Sequence, residues 1–469
     1  MAINLSLSSV TSEVRNQFLH PLTEVFEQLT TRRNCPVQSD WDWLLKGVDR
    51  VLANHRSGRD FLQSFQIFWA QPMWVGPYFE TLASPRRLAM VAECSAGLRA
   101  QVDASRTNGL AQFAALASFD VYAGDGHYLA HATHDPMNGE THWPTGHFFA
   151  LNLKSQSLFP LTLADLIGRK KEHDARALKR QSVAQLRQGA GKGRRVLWVW
   201  DKAGVALPFW QERKASGLYF LSQCKAGMCL ELEQEREIDR PQPIHQGVKS
   251  DRVVRDRRGL RVREITFENP CDGQVYVYLT NEMTLEAGLL ALLYKTRWEI
   301  EKVFDETKTK LAEQKSWATS VTAKEMQAHF VCVVHNLLLL VQDRHAQQGV
   351  TNTAEAARKQ ERVDQQEKVL AAKQQTLPML YKPAAPLHAS TVQTDPLAAR
   401  PLAAPDLPEP SPAPTTTTLC HALMTQTKHQ CYTMCLDFHL PARLSGWQSV
   451  FRIKSSLVRI SGSIASLRG

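Results

Sequence analysis

Apolar residues recur every three to four positions through most of residues 12–100, and the stretches 14–29, 41–54, 58–69 and 85–98 each predict an amphipathic helix. The period then shortens. Phe119, Val121 and Ala123 alternate with polar neighbours up to Gly124-Asp125-Gly126, and short strands follow over 128–133 and 148–153. A basic helix over about 163–188 comes next, then the apolar run 196–200 ending at Asp201, a helix over 209–215 and a strand over 218–223. Further strands over 229–232, 259–267 and 275–279 have Arg252, Arg255, Arg257, Arg258, Arg261 and Arg263 crowded between them. Helical spacing returns over 285–311 and 323–347. Beyond residue 351 the chain turns Ala-, Gln-, Pro- and Thr-rich, with too little apolar surface to offset the entropy of ordering.

The order β-β-β-α-β-α-β is that of a ribonuclease-H-like core, so the expected class is α/β. The expected division is an N-terminal helical DNA-binding domain over 1–105, a catalytic domain over 106–350 with a β-rich insertion at about 222–282, and a mostly disordered tail over 351–469. The basic edge of the insertion, with Arg32, Arg33, Arg50, Arg56, Arg86 and Arg87 on the helices, is available for phosphates.

Charge sharpens this picture. Lys and Arg outnumber Asp and Glu 56 to 46, a net charge of +10 that favours a polyanionic partner. The longest apolar run, 331–341, is interrupted by His335 and Asn336 and is too short to span a bilayer, and no basic-then-apolar leader pattern opens the chain. Nine cysteines without paired spacing suit a reducing compartment. A cytoplasmic, nucleoid-associated protein is expected.

The candidate chemistry centres on Tyr294, Arg297, Glu301 and Lys308. At about 100° per residue their offsets place all four within roughly a 60° arc of one helix. Leu293, Ile300, Phe304 and Leu311 form an apolar stripe beside them, so the polar stripe borders the core. A solvated Arg297–Glu301 pair is the plainer alternative. Tyr294-Lys-Thr-Arg297-Trp-Glu-Ile-Glu301, with Lys308 seven residues on, closely resembles the Y-R-E-K signature of bacterial insertion-sequence DDE transposases of the cut-and-paste group. Gly124-Asp125-Gly126 resembles that family's strand-borne first aspartate, and Val199-Trp200-Asp201-Lys-Ala-Gly204 its second; the resemblance covers about residues 84–341.

The resemblance implies a catalytic triad of Asp125, Asp201 and Glu301 holding two Mg²⁺ ions, with Mn²⁺ as a substitute. Two hard cations about 4 Å apart take oxygen ligands, activate a nucleophile and neutralise the leaving oxygen of a phosphodiester. Tyr294, Arg297 and Lys308 would grip phosphates beside the scissile bond. Double-stranded DNA, as terminal inverted repeats and target, is the implied partner, with a homodimer in the DNA complex. The insertion is expected to help handle a hairpin intermediate. A catalytically inactive DNA-binding descendant and a metal nuclease without strand transfer are the competing readings.

Each acid also has a local alternative: Gly124-Asp125-Gly126 as a hairpin turn, and Asp201 as a helix cap. Asp120, Asp305 and Glu306 are rival ligands. His127, His131, His134 and Asp135, and separately Cys420, His421, His429, Cys431 and Cys435, could hold zinc only in non-standard spacing. Trp143, Trp298 and Trp317 could stack on an unpaired base or pack in the core.

Overall fold

The computed structural model describes residues 7–33, 39–52, 58–59, 61–62, 75–135, 137, 142, 144–164, 172–307, 315–349 and 353–372. Lys308, Leu311, Trp143, most of the helix expected over 58–69, and the tail with its Cys/His group lie outside them.

A single mixed sheet organises residues 119–280. Its strands are β1 (Phe119–Leu129), β2 (Thr145–Asn152), β3 (Leu158–Leu163), β4 (Arg195–Trp200), β5 (Leu218–Gln223), β6 (Leu230–Glu235), β7 (Val248–Asp256), β8 (Arg261–Glu268) and β9 (Val275–Thr280). Their spatial order is β3-β2-β1-β4-β5-β9-β8-β7-β6. The first five strands, with β1, β4 and β5 mutually parallel, β2 antiparallel to β1 and β3 antiparallel to β2, are consistent with the expected ribonuclease-H-like core. The insertion enters through β9 antiparallel to β5 and continues the same sheet outward.

Alternation along β1 and β4 divides the core between the two faces. Phe119, Val121, Ala123, Leu197 and Val199 pack on one side with the apolar faces of α8 (Ala287–Thr296) and α9 (Trp298–Asp305). Tyr122, Trp198, Trp200 and Phe220 fill the other side, against α7 (Leu207–Arg213). Consecutive residues therefore serve opposite layers. Asp125 and Asp201 each follow in step with the first set.

Several expectations change. The strands expected over 119–123 and 128–133 are one strand, β1, so Gly124-Asp125-Gly126 takes its strand-borne placement over the hairpin-turn alternative, and Asp125 pairs with Phe149 of β2. The two glycines admit close packing instead, since a Cβ on Gly124 would stand 2.4 Å from the Trp200 ring. The basic stretch 163–188 is not one helix. It begins with the end of β3, and its described remainder forms α5 (Asp174–Lys179) and α6 (Val183–Leu186), the latter started by a Ser182–Gln185 capping box. The insertion contains one more strand, β7, than its pattern announced.

The helices α1 (Leu7–Glu27), α2 (Asp40–Leu52), α3 (Val75–Thr81) and α4 (Pro85–Ser105) share a core with α10 (Val321–Gln347). Leu22, Trp43, Val48, Met90 and Leu98 meet Met326, Phe330, Val334 and Leu337 there. The Cβ of a residue at Gly47 would fall 2.0 Å from the Phe330 ring, a measure of how closely α2 rides on α10. The described N-terminal helices thus brace α10, which follows α9. A final helix, α11 (Thr353–Ala372), closes the described chain.

Candidate active site

Asp125 and Asp201 owe their proximity to strand register. β1 and β4 run parallel with Ala123 opposite Val199, so the positions two residues further on lie side by side at the carboxyl ends of both strands. Asp201 stands just past β4, where its Oδ1 accepts the Ala203 N–H at 2.8 Å and its carbonyl accepts the Ser222 hydroxyl at 2.7 Å. The cap reading of Asp201 is therefore correct as local structure, and it also holds the carboxylate rigidly at the strand end.

Glu301 arrives from the helical side. The periodic stretch expected to run unbroken through the signature is interrupted at Arg297, which separates α8 from α9. At this break the Arg297 side chain, 6% exposed, reaches across the strands: Nη2 donates to Glu301 Oε1 at 2.6 Å, and Nη1 lies 3.9 Å from Asp125 Oδ2. Tyr294, buried and tilted against Tyr278 at 4.6 Å between ring centroids, sits one turn earlier. Burial raises the Tyr294 pKa; Arg297 lowers it, while the Asp201 and Glu301 carboxylates raise it further.

Asp125 carries the strongest electrostatic mark. Burial pushes its carboxyl up to about 7; the Gly126 N–H and the Arg297 guanidinium pull it down, and the carboxylates of Asp174 and Asp201 push it up. A carboxylate so placed is short of positive charge at neutral pH. Hard oxygen donors beside a guanidinium already drawn into the negative pocket fit a divalent cation by donor chemistry and by charge. Among the described residues, no three acidic, histidine or cysteine side chains stand together in ligating geometry.

The rivals take other roles. Asp120 points away from Asp125 by strand alternation and is held by Arg194 at 2.7 Å and the Gly191 N–H at 2.9 Å. Asp305 and Glu306 line a shallow hollow with Trp298, Glu301 and Lys302. His127 is buried against the Phe304 ring at 5.0 Å, His131 stacks on His142 at 4.1 Å, and Asp135 accepts from Lys324 at 2.9 Å. Of the tryptophans, Trp317 is core, under Phe330 and 4.4 Å from the Arg50 guanidinium. Trp298 is 57% exposed at the mouth of the hollow.

The insertion's arginines are less free than their crowding suggested. Arg263 is buried, bidentate to Asp251 at 2.7 Å, and donates to the Leu285 carbonyl just before α8. It is a structural tie and not a DNA contact. Arg255 and Arg261 meet Glu233, and Arg252 meets Glu235, in exposed pairs that cost little to open for a phosphate. Asp174, whose carboxylate adds to the negative charge around Asp125, is a neighbour of the site that sequence reasoning missed. Its one signal was an acid directly after a basic run, at the first position of a helix.

Residues 120–337 match the family model described as the transposase DDE domain. No curated protein matches the chain. Among the described residues no helix is long and apolar enough to cross a membrane.

Proposed function

The chain belongs, through residues 120–337, to the transposase DDE domain family, whose members use divalent metal ions, and from that membership we propose an active insertion-sequence transposase. In this reading it binds terminal inverted repeats, cleaves DNA at the element's ends and joins the freed 3′ hydroxyls to target DNA, working as a homodimer in the DNA complex and residing in the cytoplasm with the nucleoid.

Asp125, Asp201 and Glu301 are the proposed ligands of two divalent ions, Mg²⁺ or Mn²⁺. Such ions, when bound, activate the attacking oxygen and neutralise the leaving one. The observation that carries the reading is Arg297, whose guanidinium lies between Asp125 on a strand and Glu301 on a helix. These carboxylates are 176 residues apart in sequence, by the difference of 301 and 125, and share one cation. A merely solvated intrahelical pair would leave Arg297 exposed, whereas it is 95% covered, being 5% exposed. Glu301 Oε1 accepts from Arg297, and Oε2 makes no hydrogen bond within the described residues. One carboxylate can thus face an arginine and a metal ion at once. Arg297, Tyr294 and Lys308 are proposed to hold phosphates flanking the scissile bond, with bidentate contact falling to the arginine.

The test is Glu301→Gln. The amide keeps the side chain's shape but weakens it as a ligand for a hard cation, so specific binding to end DNA should persist while Mg²⁺-dependent cleavage and joining disappear. Loss of binding together with cleavage would assign Glu301 a structural role and overturn the reading. Cleavage without joining in the unaltered chain would favour a nuclease, and binding without cleavage an inactive descendant.

A further inference from the structure

We propose that the end of the sheet opposite Asp125 and Asp201 carries a second surface for double-stranded DNA, one that grips phosphates without reading bases; this rests on the DNA-partner reading above. The surface is built from Arg99, Lys154, Arg187, Lys192, Arg194 and Arg195, around the amino ends of β1, β4 and β5. The six steps along β1 from Phe119, at this end, to Asp125 span about 20 Å, too far for one side chain to serve both ends.

Three of these cations converge on one short stretch of backbone. Lys154 Nζ donates to the Leu116 and Phe119 carbonyls at 2.6 Å each, Arg194 donates to the Ala117 and Phe119 carbonyls, and Arg195 Nη2 donates to the Ser118 hydroxyl at 2.8 Å. Arg187 extends the group, donating to the Arg194 carbonyl at 2.7 Å and to the Ser216 carbonyl at 2.9 Å. Arg99 arrives from α4 against Gly189, where a Cβ would stand 2.8 Å from its guanidinium carbon. Lys192 is exposed in the glycine-rich turn between Gly189 and Gly193. Among the described residues, Arg194 alone of the six pairs with a carboxylate, that of Asp120 at 2.7 Å. The crowding of positive charge shows at Lys154: burial, and the Arg194 charge beside it, hold its ammonium down to about 8 against the pull of Asp120. The insertion differs, since its exposed Arg252, Arg255 and Arg261 each meet a glutamate. Carbonyl acceptors fix a guanidinium in place without cancelling its charge, so the field at this end stays positive toward solvent. A cation that only tied strand starts together would have no need of uncompensated neighbours; gathering them costs repulsion, which a phosphate backbone offsets. The donors sit on strand starts and turns, with no helix among them to enter a groove, so contact falls on phosphates and not on base edges.

The test measures binding of the full-length chain to two duplexes, one carrying the element's end and one of unrelated sequence, by fluorescence anisotropy across a salt series in EDTA. Chelation removes any phosphate contact that a metal ion carries. With Lys192→Ala and Arg195→Met combined, the salt slope should fall by about two units, roughly one for each charge removed. Melting should stay like that of the parent chain, because methionine keeps an apolar stem over the Phe119 ring. A fall confined to the unrelated duplex assigns the surface to target DNA, a fall confined to the end duplex assigns it to the element's own DNA, and a fall on both assigns it to DNA of either kind. Parent-like slopes on both duplexes would overturn the inference and leave the transposase reading intact. A parent chain that binds neither duplex would overturn both. Where the double variant melts early, Lys192→Ala alone, whose side chain makes no hydrogen bond or ion pair among the described residues, is read in the same way, with a fall of about one unit.

Discussion

In metal-free solution the buried carboxyl of Asp125 should make the folded chain less stable as pH rises, and Asp125→Asn should remove that dependence. Folding raises this group from an ordinary 3.8 to about 7, so the folded chain holds the proton more tightly than the unfolded chain does. Its contribution is fully present below about pH 4 and is lost progressively as pH climbs through about 7. A rise of roughly three units corresponds to about 4 kcal/mol between those limits. With the side chain 21% exposed, solvent screening leaves most of that in place. The rise to about 7 already nets the Gly126 N–H and Arg297 contacts against burial, so the amide's advantage at pH 8–9 should reach at most about 4 kcal/mol. The assay is urea unfolding of both chains in EDTA at half-unit steps from pH 4 to pH 9. Titrations common to both chains cancel in the difference. Mn²⁺ at a hundredfold excess over Kd should narrow the gap, because it adds about 2.7 kcal/mol to the chain that binds it. A stability difference constant to within about 0.5 kcal/mol across the range would refute the claim that Asp125 is short of positive charge in the free protein.

If Arg297 and Lys308 hold phosphates, replacing either with Ala should lower the salt dependence of end-DNA binding by about one unit of slope, and Tyr294→Phe should cost less affinity than either. Unchanged slopes measured by fluorescence anisotropy would remove that assignment without touching the metal ligands. Gly124→Ala forces a Cβ to within 2.4 Å of the Trp200 ring and should destabilise by about 1–3 kcal/mol, with a cleavage defect exceeding any DNA-binding defect; a parent-like melting temperature would show that the strand ends have room to spare. Arg263→Leu leaves Asp251 buried with only Arg236, at 3.4 Å, and should cost about 3 kcal/mol in urea unfolding while leaving the salt slope alone. A reduced slope there would return Arg263 to the DNA surface.

What could be read along the chain was whatever depended on spacing. The alternation of strand and helix and the helical stripe of Tyr294, Arg297 and Glu301 follow from period, although β1 absorbs two expected strands and β3 was not expected, and the stripe retains its sense because two residues one turn apart face the same way. The break at Arg297 was not readable. Apolar residues keep helical spacing straight through it, and the interruption becomes apparent only once the guanidinium is seen to reach Asp125, more than 170 residues upstream. Gly124-Asp125-Gly126 lies on a strand, as the family resemblance implied but its own residues did not require. Its local chemistry is that of a turn, and only the Trp200 ring on the neighbouring strand explains why glycine is needed inside β1.

The insertion and the N-terminal helices show the same division between pattern and partner. Strand β7 has few apolar positions to announce it, and its pairing with β6 includes exposed Arg–Glu contacts that have no periodic signature. For α2 and α4 the period correctly gave a buried face without saying what would cover it, and the cover is α10.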